Sequence, residues 1–386
     1  MKLLVLCPSA AYGGAERYAV IIASAARRQG FAVRAAVPYG EPTQELVDAF
    51  HTNDVTTVDL RPAGPGPRVR RLTGGTLRLV RLIRRFRPDV VHLTLPWPTA
   101  GFPELLTCAC LRTPTVVVFA LVPDWLELGR RVRLYRWSRQ RRQAWVAVSE
   151  HGRRVLAEAL GTPVEALHRI YNGIPPRDHT SSGGAMSAKR SLGLPDSSTL
   201  VLSVGRLNLQ KGHVDLLAAF ARLGAAYPDL HAVIAGEGPE RERLEKLIRS
   251  HGLENRIHLL GEVANVPELM RAADLFIFPS HFEGTPAAML EAMAYGVPVI
   301  AARFRGVEEV IEDGQSGLLV PVEDPDVLAD RIAWAVGHGR EIGRMAERAQ
   351  HRAAQFSQSA MVEQTLELIS GLSQGRPAPE SVRGVS

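Results

Sequence analysis

The stretch FPSHFEGTPAAMLEAMAYGVPVIA, residues 278–301, decides how the chain is read. It opens at the end of one apolar run, ADLFIFPS, and closes in another, VPVIAA, with a loop and a helix-patterned segment between them. Strand, loop, helix and strand in so short a span describe a βαβ unit, and hence a parallel sheet. Thr285 suits a helix N-cap and Pro286 a first helical position, so the helix is predicted to begin at Thr285. The N–H groups of Thr285, Ala287 and Ala288 then point toward the strand ends and make an anion site; Pro286 has none to give. Glu283 lies in the loop, placed to meet the hydroxyls or developing charge of a sugar. Glu291 lies in the helix among Ala288, Met289, Leu290, Ala292 and Met293. Its side chain leans back toward the helix N-terminus, where it can grip ribose hydroxyls in bidentate fashion. A carboxylate in an apolar helix is costly without donors, so a merely solvated role fits Glu291 poorly.

The same rhythm extends in both directions. Toward the N-terminus, KLLVLC, FAVRAAV, PDVVHL, TPTVVVFAL and QAWVAVS read as strands, with helical patterns over 15–30 and 75–86 among them. This half ends near RIYNGI, residues 169–174. Residues 175–198 are rich in Pro, Gly and Ser and read as a linker. The rhythm restarts with TLVLSVG, HVDLLAAFARL, LHAVIAG, a helix PERERLEKLIRSHG stopped by Gly252, and RIHLLG. The fold class is therefore α/β, with two doubly wound Rossmann-like domains, residues 1–174 and 199–355. A final helix is expected over 356–373, and residues 374–386 are expected to be a disordered tail.

Doubly wound sheets bind ligands at the carboxyl ends of their strands, so the loops there carry the functional reading. YGGAERYA, residues 12–19, puts Gly13 and Gly14 before a helix, which lets backbone approach a ligand, although a plain tight turn fits equally. SVGRLNLQKG, residues 203–212, places Arg206 and Lys211 five apart across a loop, and a diphosphate needs cations converging from different backbone positions. AGEGPERERLE, residues 235–245, allows a close loop after a strand; the loop is read as structural, with contact of Glu237 to a ligand as the alternative. An anion grip, two cations and a carboxylate for a diol together describe a nucleoside diphosphate with something attached, held by the second half.

Composition narrows the classes. With 46% apolar and 22% charged residues in 386, wholesale disorder is excluded. No apolar run reaches the ~18 residues a spanning helix needs. The start, MKLLVLCPSA, is too short for a secretory signal, and three cysteines make no disulfide scaffold, so a cytoplasmic location is expected. Cys108 and Cys110 have no histidine nearby and are read as buried core thiols. Residues 1–172 carry 25 Arg+Lys against 13 Asp+Glu, a net of +12, while 173–386 carry 21 against 27, a net of −6. No zinc finger, basic zipper or aromatic ribonucleoprotein segment accompanies the basic half, so no nucleic acid partner is expected. RRVRLYRWSRQRRQAW, residues 130–145, interleaves arginines with Tyr135, Trp137 and Trp145. With the basic helix over 75–86 it predicts contact with an anionic membrane face; solvated helix faces are the alternative.

The ordered set GGAER, VVHL, AVSEHGRRVL, IYNGI, VGRLNLQKG, AGEGPER, HLLGEV, EGTPAAMLEAMAYGVPVIA and DGQSGLLVP resembles the retaining glycosyltransferases of family 4. The resemblance implies the GT-B fold, two Rossmann-like domains facing across a cleft. It implies transfer of a hexosyl unit from a UDP- or GDP-sugar to a lipid-linked or saccharide acceptor of cell-surface polysaccharide or glycolipid synthesis. Arg206 and Lys211 would neutralise the donor diphosphate, Glu283 would sit beside the donor sugar, and Glu291 would hold the ribose. The backbone of Gly284, Thr285, Ala287 and Ala288, and that of Gly13 and Gly14, would meet phosphate and sugar. The segment from Leu260 to Val263 would meet the base, and the helix over 356–373 would cross back onto the first domain. Neither metal nor cofactor is expected. One departure stands out: where many members carry a sugar-contacting histidine, this chain reads TPTVVVFALVPDW, with Ala120 or Leu121 in its place and Asp124 nearby as a substitute. His92 in VVHL matches a different family histidine, more often structural. The alternatives are a nucleotide-sugar epimerase or soluble disaccharide synthase on the same fold, or a non-catalytic binding subunit. The retained Arg206, Lys211, Glu283 and Glu291 argue against the last.

Overall fold

Apolar strands that bury both faces can only be covered by helices on both sides, and the chain does this twice. The computed structural model describes residues 1–9, 12–60, 68–176, 189–190 and 193–375. Most of the segment read as a linker, and nearly all of the expected tail, lie outside the described residues. The chain divides into two units, one formed by Met1–Asn172 with the residues from Gln358 onward, the other by Gly173–Ser357.

In the first unit the elements run β1 (Lys2–Leu6), α1 (Gly14–Arg28), β2 (Ala32–Val37), α2 (Gln44–Thr52), β3 (Thr56–Asp59), α3 (Arg68–Phe86), β4 (Val90–Leu95), α4 (Phe102–Cys110), β5 (Thr115–Phe119), α5 (Val132–Arg139), β6 (Gln143–Ala147), α6 (Glu150–Leu160) and β7 (His168–Arg169). The seven strands form one parallel sheet in the order 3-2-1-4-5-6-7. Side chains alternate between its faces. Leu3, Val5, Val116 and Val118 join one core, while Leu4, Leu6, Val117 and Phe119 join the other. His92, on β4, is fully buried and stacks on Tyr18 of α1 with ring centroids 5.8 Å apart, a structural role. Burial pushes its imidazole down to about 4.

The second unit restarts with β8 (Thr199–Val204), α7 (His213–Leu223), β9 (Leu230–Ala235), α8 (Arg241–Ser250), β10 (Ile257–Gly261), α9 (Val266–Ala272), β11 (Leu275–Phe278), α10 (Ala287–Ala294), β12 (Val299–Ala302), α11 (Arg305–Glu308), β13 (Leu318–Val320), α12 (Pro325–Gly337) and α13 (Gly339–Ala353). Its six parallel strands are ordered 10-9-8-11-12-13. The last helix, α14 (Gln358–Ser373), returns to the first unit. Met361, Leu366, Leu368, Ile369 and Leu372 enter the core under β1 and β5, and Thr365 Oγ1 lies 2.7 Å from the Tyr18 hydroxyl.

Three details differ from the sequence reading. The strands β3, β7 and β13 were not anticipated: β3 is short and polar and β7 has two residues, so neither produces a recognisable apolar run. Helix α3 begins at Arg68, seven residues earlier than expected, because the polar RVRRLTG stretch carries little apolar signal. Cys110 is exposed; only Cys7 and Cys108 are buried. Cys110 lies two residues after Cys108 on a helix, and that spacing turns it to the opposite face.

Candidate active site

In each sheet the direction of winding reverses between the first strand of the unit and the fourth, β1 and β4 in one, β8 and β11 in the other. The crevice beyond such a reversal is where this architecture takes ligands. In the second unit the loop after β8 carries Arg206 and Lys211, and the loop after β11 carries Glu283, Gly284 and Thr285.

The two loops are stitched by polar contacts. Asn208 accepts a hydrogen bond from the Lys211 N–H at 3.1 Å, shaping a short turn. The Gln210 side chain donates to the Phe282 carbonyl at 2.7 Å, and the His281 N–H donates to the Gln210 carbonyl at 2.8 Å. Gly212 completes the turn at φ +62°, and a Cβ there would stand 2.1 Å from the Pro279 carbonyl oxygen, so the position excludes a side chain. These contacts bring Lys211 Nζ onto Glu283 Oε1 as an ion pair, with the side chains only 20% and 14% exposed. The Lys211 ammonium also lies 5.7 Å from the centroid of the Phe278 ring. Arg206 is exposed and has no ion-pair partner among the described residues.

Sequence reasoning did not single out His281, although it lies two residues before Glu283. Its Nε2 is 2.9 Å from Asp215 Oδ2, and its Nδ1 is 3.4 Å from Glu323 Oε1. It therefore ties the Glu283 loop to the first turn of α7. Beside it is a cavity of about 440 Å³ whose lining includes Gln210, His213, Asp215, His281 and Glu323. His213 is buried, and burial together with the neighbouring Lys211 charge pushes its imidazole down to about 4.

Helix α10 begins at Ala287, with Pro286 rather than Thr285 as its N-cap at φ −78° and ψ 74°, one residue later than expected. The ψ of Pro286 lies outside the helical range, so the proline takes the cap position expected of Thr285. The Ala287 N–H is used locally, donating to the Thr285 carbonyl at 2.9 Å. The first-turn groups left without an intrahelical acceptor are therefore those of Ala288 and Met289, not of Thr285 and Ala287. Glu291 is half-buried rather than enclosed, one turn into α10.

At the far wall the Gly236 N–H donates to the Gly261 carbonyl at 2.7 Å, which lays Leu260–Val263 against the AGEG loop. Gly236 has φ +148°, and a Cβ on it would meet the Gly205 carbonyl at 2.0 Å. Glu237 accepts from the Gly238 N–H at 3.1 Å and pairs with Arg241 at 3.6 Å. Gly13 and Gly14 belong to the first unit, where Gly13 is the N-cap of α1 and Gly14 its first residue. A Cβ on Gly13 would meet Glu16 Oε2 at 3.3 Å, and burial raises the Glu16 carboxyl. The chain contains one Asp-x-Asp sequence in this unit, Asp324-Pro325-Asp326, which sequence reasoning passed over. Asp324 caps α12 by accepting from the Val327 N–H at 3.0 Å, and Asp326 pairs with Arg222. Among the described residues no group of three His, Cys, Asp or Glu side chains is arranged to hold a metal.

Residues 12–178 match the model of Glycosyltransferase Family 4, and residues 186–352 match that of Glycosyl transferases group 1. The chain is a family 4-like glycosyltransferase of the GT-B fold. Among solved structures, this glycosyltransferase is similar to Anabaena HepE in complex with UDP and glucose, with a TM-score of 0.82 and 24% identity over 96% of this chain and all of that one. It is 33% identical to the alpha-D-kanosaminyltransferase of Streptomyces kanamyceticus over 52% of this chain and 53% of that protein. It is 28% identical to the lipopolysaccharide core biosynthesis mannosyltransferase LpsB of Rhizobium meliloti over 75% of this chain and 83% of that protein. The chain spans about half the length of the first curated relatives it matches. Ala120 and Leu121, the positions singled out in the sequence, follow β5 directly, and Asp124, a few residues on, is hydrogen-bonded to His151 Nε2.

Proposed function

We propose that this protein is a retaining hexosyltransferase using a nucleoside-diphosphate sugar, UDP-linked before GDP-linked, and delivering it to a saccharide or lipid-linked acceptor. The observation that carries this reading is the pairing of Lys211 with Glu283 at the reversal point of the second sheet, one loop away from the open first turn of α10. In this reading the diphosphate takes Lys211 and Arg206 as cationic partners and the Ala288 and Met289 N–H groups as donors. These stabilise charge as the glycosidic bond breaks. Glu283, held by Lys211 and by the stitched loop, faces the donor sugar, and Glu291 takes the ribose hydroxyls. Departure and attack on one face of the sugar retain the anomeric configuration. Lipopolysaccharide-core relatives favour an acceptor belonging to cell-surface polysaccharide synthesis.

A membrane-facing acceptor is favoured by the first unit, where α3 exposes Leu77 next to Arg81, Arg84 and Arg85, and α5 exposes Leu134 between Arg133 and Arg136. No helix among the described residues is long and apolar enough to cross a membrane. The test is a thermal-shift series with UDP-, GDP- and ADP-sugars, followed by assay of nucleoside diphosphate release and of the anomer formed. A donor that binds only the folded state raises the melting midpoint. No shift with any of them, or release of the inverted anomer, would reject the reading.

A further inference from the structure

The ligand end of the first sheet carries features that the donor site does not use. Trp97 follows β4 by two residues, Trp125 lies on the loop after β5, and both are exposed, at 47% and 63%. Exposed indoles are uncommon because so much apolar area is left in water. These two sit on the loops of neighbouring strands, with Leu95 paired to Phe119 and the Ala120 N–H donating to the Leu95 carbonyl at 2.9 Å. The next loop, after β6, supplies His151 at the start of α6. Its Nε2 holds Oδ1 of Asp124, the residue before Trp125. His151 is 25% exposed while Asp124 is 66% exposed, so the carboxylate stands at the surface, anchored from behind by the imidazole. The Tyr135 hydroxyl donates to the Pro98 carbonyl at 2.7 Å and fixes the Trp97 loop from below.

We propose that Trp97, Trp125 and the His151-anchored Asp124 form a subsite for a neutral pyranoside, the saccharide part of the acceptor. A pyranose ring has an apolar C–H face that packs on an indole and a rim of hydroxyls that donate to a carboxylate. A carboxylate held in place loses less freedom on accepting them. The charges nearest Trp125 in the sequence are carboxylates, with exposed Arg130 and Arg131 further along the loop. Asp124 and the exposed Glu127 flank Trp125, and carboxylates are repelled by anionic head groups, whereas the arginine-lined leucines lie on α3 and α5.

This subsite rests on the glycosyltransferase reading but is tested without a donor. The full chain is applied to an array of neutral oligosaccharides, and the glycan retained best is titrated with wild type, Trp97→Ala, Trp125→Ala and Asp124→Asn. Each variant is expected to bind at least about tenfold more weakly, the loss of roughly 1.4 kcal/mol at a contact near the centre of a site. His151→Gln, which keeps a donor toward Asp124, should lose less. Trp125→Phe and Trp97→Phe keep an aromatic face and stand in where an alanine variant fails to fold. Retention of no neutral glycan by wild type, or wild-type affinity in both folded tryptophan variants, overturns the proposal. So does loss of binding to phosphatidylglycerol/phosphatidylcholine vesicles with glycan binding intact, which would make the indoles membrane anchors. A wild type that binds glycan but shows no thermal shift with any nucleotide sugar would instead reject the donor reading and leave this subsite standing.

Discussion

Removing the Lys211 side chain separates what the ion pair does for the fold from what it does for the reaction. In Lys211→Ala the Glu283 carboxylate, 14% exposed, loses its cation and keeps its charge. Breaking a fully buried pair costs about 3–5 kcal/mol and an exposed one less than about 1. Partial burial of both partners puts this one near about 2 kcal/mol. Adding Glu283→Gln removes the stranded charge, so the double variant should recover most of that loss in urea-induced unfolding followed by circular dichroism. Turnover should behave differently. Lys211 is one of two cations assigned to the leaving diphosphate, and losing one preorganised charge contact at a developing anion costs about 10²–10³ in kcat. The double variant should therefore be as inactive as the single one, or more so, in release of nucleoside diphosphate from the nucleotide sugar that shifts the melting midpoint most. Stability that recovers while activity does not is the expected signature of a coupled pair with a separate catalytic duty. Near wild-type turnover in Lys211→Ala, with the protein folded, would refute the assignment of the diphosphate to this loop.

Gly212→Ala should destabilise the second unit by several-fold more than the ~1 kcal/mol typical of a left-handed glycine, because its Cβ would stand 2.1 Å from the Pro279 carbonyl; an unchanged urea midpoint would contradict the geometry. Tyr18→Phe removes the hydroxyl 2.7 Å from Thr365 and should cost about 1 kcal/mol, with faster proteolysis of α14, while Thr365 keeps its bond to the Met361 carbonyl. Unfolding measured against pH reads the two buried imidazoles. His92 and His213 hold off protonation until about 4 when folded, against a reference of 6.5. Between those values the unfolded chain binds more protons. Their contribution is thus fully present above about 6.5 and is lost as pH falls toward 4, by up to about 3 kcal/mol each. His92→Leu should flatten that slope, and an equally steep slope in the variant would show that other groups cause it.

Much of the fold was legible because parallel strands buried on both faces leave unmistakable apolar runs: VVVF and LFIF are strands whatever surrounds them. The strands that escaped notice lack that burial or that length, as in TTVD, whose first residue is exposed and whose others are only half-buried. The loops at the reversal of winding were legible for a different reason. Arg206, Lys211, Glu283 and Glu291 are polar residues at loop and helix positions where the reversal of winding expects a ligand, and spacing alone located those loops. What spacing does not encode is the partner of each side chain. Lys211 and Glu283 are 72 residues apart, and their pairing depends on Gln210 and His281 joining two loops through backbone carbonyls, contacts with no periodic signature. The same limit explains the start of α10: Thr-Pro reads as cap and first residue, yet Pro286 turns out of the helical range at ψ 74° and the helix starts at Ala287. The register of the anion site follows from that turn, which leaves Ala288 and Met289 as the open donors. A substitution Pro286→Ala would free φ at this position and supply an additional N–H. Donor affinity measured by titration is expected to fall, because the fixed φ of Pro286 aims the two N–H groups that remain; unchanged or higher affinity would show that the proline does not set the grip.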